Sequence, residues 1–222
     1  MLYKFLVLTS LIILGTSNKY PENIRVNTKH SDDENSFLLE YTGTLAGYMN
    51  LSVGAQVAMD TTIGFRYDIT FQNGTSVISH DAFFYKFSNP NQLTKYNYLT
   101  HQSSLINPGK TPKSEDLNVV GKENIDTFVC MHLRKTNDRE QQDYWMSKSV
   151  PGFSQLTKIL KGIDPNLAMM AIDQTLFKWG GLVRARVINV ANAGSTTTFN
   201  LNLIEEQTGL VFTDKDFEVP SN

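Results

Sequence analysis

Cys130-Met131-His132 is the pairing in this sequence that comes nearest to reactive chemistry. A thiol and an imidazole two residues apart share one face of a strand, the placement of a Cys–His nucleophile pair or of half a metal site. Two ligands do not complete a metal site, Cys130 is the chain's one cysteine, and His30, His80 and His101 sit in unrelated contexts. The reading preferred is structural: 128–133 as a central strand apolar on both faces, Cys130 buried and free, and His132 hydrogen-bonded near the strand edge. The acidic runs Asp32-Asp33-Glu34, Glu115-Asp116 and Glu205-Glu206 lie in polar stretches or at strand ends, where solvated charge explains them. Neither HExxH nor GxSxG occurs. Gly109-Lys110-Thr111 imitates a phosphate loop, but Ser104 stands where its first glycine belongs and Pro108 and Pro112 flank it. No catalytic residue, metal or cofactor is assigned, and the chain reads as non-enzymatic. A hydrolase whose residues converge only in three dimensions is the minor reading.

Binding chemistry has more support. Phe153, Leu156, Ile159, Leu160 and Ile163 fall at helical spacing, and Asp164-Pro165 supplies an N-cap and a first helical residue. Leu167, Met169, Met170, Ile172, Leu176, Phe177 and Trp179 continue the apolar character as far as Gly180-Gly181. Methionine is unbranched and polarizable, so this stretch either fills a core or lines a pocket for variable apolar ligands. In the pocket reading, the lining comprises Phe65, Tyr67, Ile69, Trp145, Met169, Met170 and Phe177, large apolar surfaces with a few polar tips.

The elements that must position these residues are mostly strands. Over 62–71, Ile63, Phe65, Tyr67, Ile69 and Phe71 alternate with polar or small residues, the pattern of a half-buried strand. Phe37, Leu39, Tyr41 and Leu45, then Phe83, Tyr85 and Phe87, repeat it. Val183, Ala185 and Val187 oppose Arg184 and Arg186, and Phe199, Leu201 and Leu203 oppose Asn200 and Asn202, with a hairpin turn expected at 192–194. Residues 88–97 and 107–116 read as turn-rich connections. About nine to eleven strands are expected, with some 25 residues of amphipathic helix. A one-faced antiparallel sheet must cover its apolar face, so the expected fold is mainly β with α: a strongly curved, incompletely closed antiparallel β-barrel under a helical lid over 153–179. The five alternating side chains from Ile63 to Phe71 are expected on its concave side.

Residues 1–17 read as a signal peptide: Lys4, an apolar run over 5–14, and the small residues Gly15-Thr16-Ser17 before a cleavage site. The run is too short for a span, which needs about 20 apolar residues. Position 18 is Asn rather than the cysteine a lipid anchor would require. Residues 18–35 form a polar leader and 36–222 a single domain. The expected location is periplasmic or secreted, with no transmembrane segment in the mature protein. Twenty basic against 22 acidic residues give a net charge of −2, no footprint for a nucleic acid. Hydrophobic residues at 41% and charged ones at 19% suit a well-packed globular domain.

Three segments then resemble one family. Residues 120–130, VGKENIDTFVC, are similar to a GKExIxGYxC pattern; 143–151, DYWMSKSVP, to xxWxSKxxP; and 216–220, DFEVP, to a terminal xFxVP. Thr127 and Phe128 depart from the usual Gly-Tyr. In this order the segments resemble an exported bacterial family known as a domain of unknown function and related to the periplasmic lipoprotein carriers (LolA/LolB-like proteins). The resemblance implies a curved, incompletely closed barrel with a helical lid and offers no catalytic set. It implies a soluble periplasmic binding protein for an acyl chain or other hydrophobic ligand, with a lipid or acylated molecule as partner. The alternative is an envelope interaction or structural module with a filled core and an envelope protein as partner.

Overall fold

A computed structural model describes residues 36–47, 49–89, 92–106, 117–151, 177–190 and 196–221. They form eleven strands: β1 (Ser36–Ala46), β2 (Leu51–Asp60), β3 (Gly64–Asn73), β4 (Ser76–Lys86), β5 (Leu93–Asn97), β6 (Gln102–Ile106), β7 (Asn118–Ile125), β8 (Phe128–Asn137), β9 (Glu140–Ser147), β10 (Gly181–Val190) and β11 (Thr196–Thr208). All belong to one antiparallel sheet of order β6-β5-β4-β3-β2-β1-β11-β10-β9-β8-β7. Two meanders, β1–β6 and β7–β11, are joined through the β1–β11 pair. The β3–β4 hairpin turns at Gly74-Thr75, between the paired residues Asn73 and Ser76, and Gly74 at its first position has φ 57°, a conformation glycine adopts without steric cost.

Covalent reach makes the sheet curl. β6 and β7 occupy opposite ends of the order, yet Ile106 and Asn118 are joined by twelve residue steps. Those steps span at most about 43 Å fully extended. Ten flat interstrand gaps would need about 48 Å. The ends must therefore bend toward each other, as broad twisted sheets tend to do.

Alternation assigns the two faces. The interior face carries Phe37, Leu39 and Tyr41 of β1, Val53, Ala55, Val57 and Met59 of β2, Phe65, Tyr67, Ile69 and Phe71 of β3, and Phe83 and Tyr85 of β4, all buried. It continues through Leu201, Ala185, Tyr144 and Leu133, which face one another across β11, β10, β9 and β8. The opposite face holds two smaller clusters under the C-terminal segment. Leu210, Phe212 and Phe217 pack on Leu38 and Ala58, and Val219 packs near Ala82, Phe84 and Tyr96.

Several expectations need correction. The described residues contain no α-helix, only 3-10 turns at Phe177–Trp179 and Asp214–Phe217, so the helical lid is not found among them. Residues 152–176, which carry most of the segment read as helical, lie outside the described residues, as does the 192–194 turn. In place of the expected incompletely closed barrel the strands form one open sheet, with β6 and β7 each paired on one side only. β6 is five residues long, and β7 carries Lys122, Glu123 and a register shift between Val119 and Gly121. Such edges resist pairing. Residues 93–97, read as connection, are β5, because Leu93 and Tyr96 bury against β4 despite polar neighbours. β8 is the penultimate strand rather than a central one. Ile63 precedes β3 in the turn that Asp60 Oδ1 caps by accepting from the Thr62 and Ile63 amides, and it packs on the outer Phe212–Phe217 cluster instead of the concave side.

Gly43 shows how tightly the meanders join: a Cβ there would lie 2.0 Å from the Asn200 carbonyl oxygen, whereas one at Gly54 on β2 would meet nothing within 4 Å. Gly43→Ala is therefore expected to destabilise the domain by about 2 kcal/mol or more. Gly54→Ala should be neutral or slightly stabilising. Urea unfolding of the two variants checks this, and equal effects would contradict the β1–β11 register.

Candidate functional site

β3 positions three of the residues nominated for a pocket. Phe65, Tyr67 and Ile69 follow one another along its interior side and are 1%, 3% and 7% exposed. Strand register builds a row across three strands, Tyr67 opposite Phe83 and Phe83 opposite Lys95. The Tyr67 and Phe83 rings stack at 5.7 Å and 13°, and the Lys95 ammonium lies 5.9 Å from the Phe83 centroid. The next row runs Ile69, Asp81, Asn97; Lys95 pairs with Asp81 at 2.9 Å, and Asn97 Nδ2 donates to Asp81 at 2.9 Å. The face thus grades from apolar at β2 and β3 to charged and half-buried at β5.

Two buried tyrosines on this face are treated differently. Tyr41 donates its hydroxyl to the Leu182 carbonyl at 3.0 Å, beside a register shift between Leu182 and Arg184. The Tyr67 hydroxyl is fully buried and has no hydrogen-bond partner among the described residues. Burial, with Asp68 and Asp81 adding to it, holds the Tyr67 phenol well above its ordinary pKa, so it is a neutral donor. An unpaired buried hydroxyl costs about 1–3 kcal/mol.

The other nominated residues are not all brought together. Trp145 belongs to the same continuous core, but alternation along β9 turns it to the face opposite Tyr144 and Met146, away from the β3 row. Met169, Met170 and the Phe177 side chain lie outside the described residues.

Trp145 instead enters a polar cluster that sequence reasoning missed. Its Nε1 donates to Glu123 Oε2 at 2.8 Å, and its ring stacks on His132 at 4.4 Å. His132 Nδ1 lies 2.7 Å from Glu123 Oε1 and its Nε2 lies 2.7 Å from Asp143 Oδ1. Asp143, 1% exposed, also accepts from Arg134 Nε and Gln141 Nε2, each at 2.6 Å. Hydrogen bonds from Trp145 and His132 hold the Glu123 carboxyl below its ordinary pKa against a smaller desolvation. Burial pushes the Asp143 carboxyl up, but the bonds from Gln141, Arg134 and His132 together outweigh it and leave it lowered. The available signal was the pairing of two motifs, since Glu123 stands in one resemblance segment and Trp145 in another. Cys130 is buried and free, its thiol pushed up by burial, and both His132 nitrogens are engaged with carboxylates, so the pair is not a nucleophile and base. Among the described residues no group of three or more His, Cys, Asp or Glu is placed to hold a metal, and no helix is long and apolar enough to cross a membrane.

Two outcomes follow. Tyr67→Phe in ligand-free protein removes an unpaired buried hydroxyl and should raise stability by about 1 kcal/mol, read from urea unfolding. A loss of stability would reveal a partner for that hydroxyl. Glu123 and Asp143 have lowered folded pKa values, so their stabilisation is present above about pH 4 and fades as pH falls through the folded values. Asp143→Asn should flatten that acid limb in melts at stepped pH. An unchanged acid limb would show that Asp143 does not contribute.

Comparison with known proteins places the chain. A putative outer membrane lipoprotein-sorting protein domain from Vibrio parahaemolyticus is similar over 84% of this chain and 90% of that one, at 9% identity and TM-score 0.35. A LolA superfamily protein from Nitrosomonas europaea is similar over 83% and 90%, at 12% identity and TM-score 0.34. PNGF-II is similar over 83% of this chain and 30% of its own, at 10% identity and TM-score 0.33. No curated protein matches the chain. The profile of DUF4412, a domain of unknown function, matches residues 91–222, a span that contains all three resemblance segments and more than half of the sequence, and the chain belongs to that family.

Proposed function

We propose that this protein is a non-enzymatic binding protein that holds an acyl chain or similar apolar ligand against the interior side of β2, β3 and β4. The observation that carries the reading is the Tyr67 hydroxyl, buried in an apolar face with no acceptor among the described residues. Buried polar groups are nearly always paired, and an orphan donor calls for an unseen acceptor. A ligand carbonyl or carboxyl oxygen supplies one, while its chain lies along Phe65 and Ile69. The ordered gradient from Tyr67 through Phe83 to Lys95–Asp81 suits an amphipathic molecule whose oxygen end sits at Tyr67 on the side that faces β5, as pockets combine apolar walls with few polar groups. Export to the periplasm or beyond belongs to the same proposal and rests on the signal-like residues 1–17.

Displacement of a fluorescent fatty acid by a panel of acyl-chain ligands tests the reading. Wild type should show saturable binding, and Tyr67→Phe should weaken it about tenfold for ligands that carry an oxygen acceptor while sparing simple alkanes. Absence of saturable binding across the panel would overturn the proposal in favour of a module with a filled core.

A further inference from the structure

We propose that His132, bridged between Glu123 on β7 and Asp143 on β9, is a proton-dependent latch that docks the sheet's edge strand. β7 pairs with β8 alone and bounds the opening of the curled sheet, and it contributes Ile125 to the core. Beyond its ladder to β8, the described side-chain bonds that tie it down are those of Glu123, one to His132 Nδ1 and one to Trp145 Nε1. The loop of contacts closes through the stacking of His132 on Trp145. Carboxylates accept and do not donate, so satisfying both at 2.7 Å requires a proton on each ring nitrogen.

Every element packed against the ring contributes to its field. β7 supplies Glu123, β9 supplies Asp143, β8 supplies Arg134 and Cys130, and β10 supplies Arg184, whose guanidinium lies 5.8 Å from the Trp145 centroid, and Arg186, opposite Asp143 in register. When the ring loses one proton, only one carboxylate keeps a donor. Asp143 is buried and fixed by Arg134 and Gln141, whereas the Glu123 side chain is 45% exposed. Nε2 therefore keeps its proton and Nδ1 gives up its own. A bare nitrogen then faces a carboxylate oxygen, so Glu123 Oε1 turns to water and β7 is held only through the bond from Trp145 Nε1 to Glu123 Oε2. Loosening β7 exposes Ile125, which shares the face of Glu123 at the sheet's edge. The latch is independent of which ligand, if any, the interior face holds.

Hydrogen–deuterium exchange of the full chain, corrected for intrinsic rates and compared at about pH 6 and about pH 9, brackets histidine titration. Protection of the 118–125 peptide should fall about tenfold at the higher pH while that of 51–60 holds. Glu123→Gln should abolish the difference, because an amide donates to bare Nδ1 and still accepts from Trp145. Nitrogen NMR of His132 in the wild type gives a second readout that needs no variant: the ring should pass from doubly protonated to the Nε2–H form. Equal β7 protection at both pH values, a Glu123→Gln variant that keeps the pH difference, or an Nδ1–H neutral ring would each overturn the latch.

Discussion

The short tether between the two ends of the sheet governs the rest of the structure. Eleven strands run from β6 to β7, and the chain joins those ends in twelve residue steps, too few to cross a flat sheet. Curling follows from chain length before any side chain is considered. Alternation then does the sorting, since each strand offers one apolar side and the curl hides it.

Once the interior exists, its polar exceptions acquire meaning. Tyr41 spans β11 to reach the carbonyl beside the β10 register shift, a bond that ties the two meanders together across their junction. Tyr67 has the same burial without the same partner. That contrast, on one face of one sheet, is why a ligand is proposed at β3 rather than elsewhere. The outer face needs less from the curl. There the C-terminal segment covers Leu38 and Ala58, and the Glu123–His132–Asp143 cluster satisfies its own buried charges.

Much of this was legible in the residues. Period-two alternation placed Phe65, Tyr67, Ile69 and Phe71 on one side of a strand, and the lone cysteine's burial followed from its apolar neighbours. Four things were not legible. Trp145 was grouped with the pocket by residue type, whereas its face is set by register carried through bulged ladders, and bulges leave no mark in an apolar pattern. Glu123 meets Trp145 across 22 residues of sequence, a contact that only pairing of β7, β8 and β9 creates. Whether a buried hydroxyl finds a partner depends on atoms from distant strands, so Tyr67 looked like any other interior aromatic. Polar composition likewise disguised 93–97, which pairs because β4 offers it an edge.

Native mass spectrometry of the full chain, purified without detergent, measures the central claim most directly. An interior face built around an unpaired Tyr67 hydroxyl predicts a bound species of discrete mass, released by organic extraction and diminished in Tyr67→Phe. A single mass equal to the bare polypeptide, unchanged by incubation with acyl-chain ligands, would contradict it.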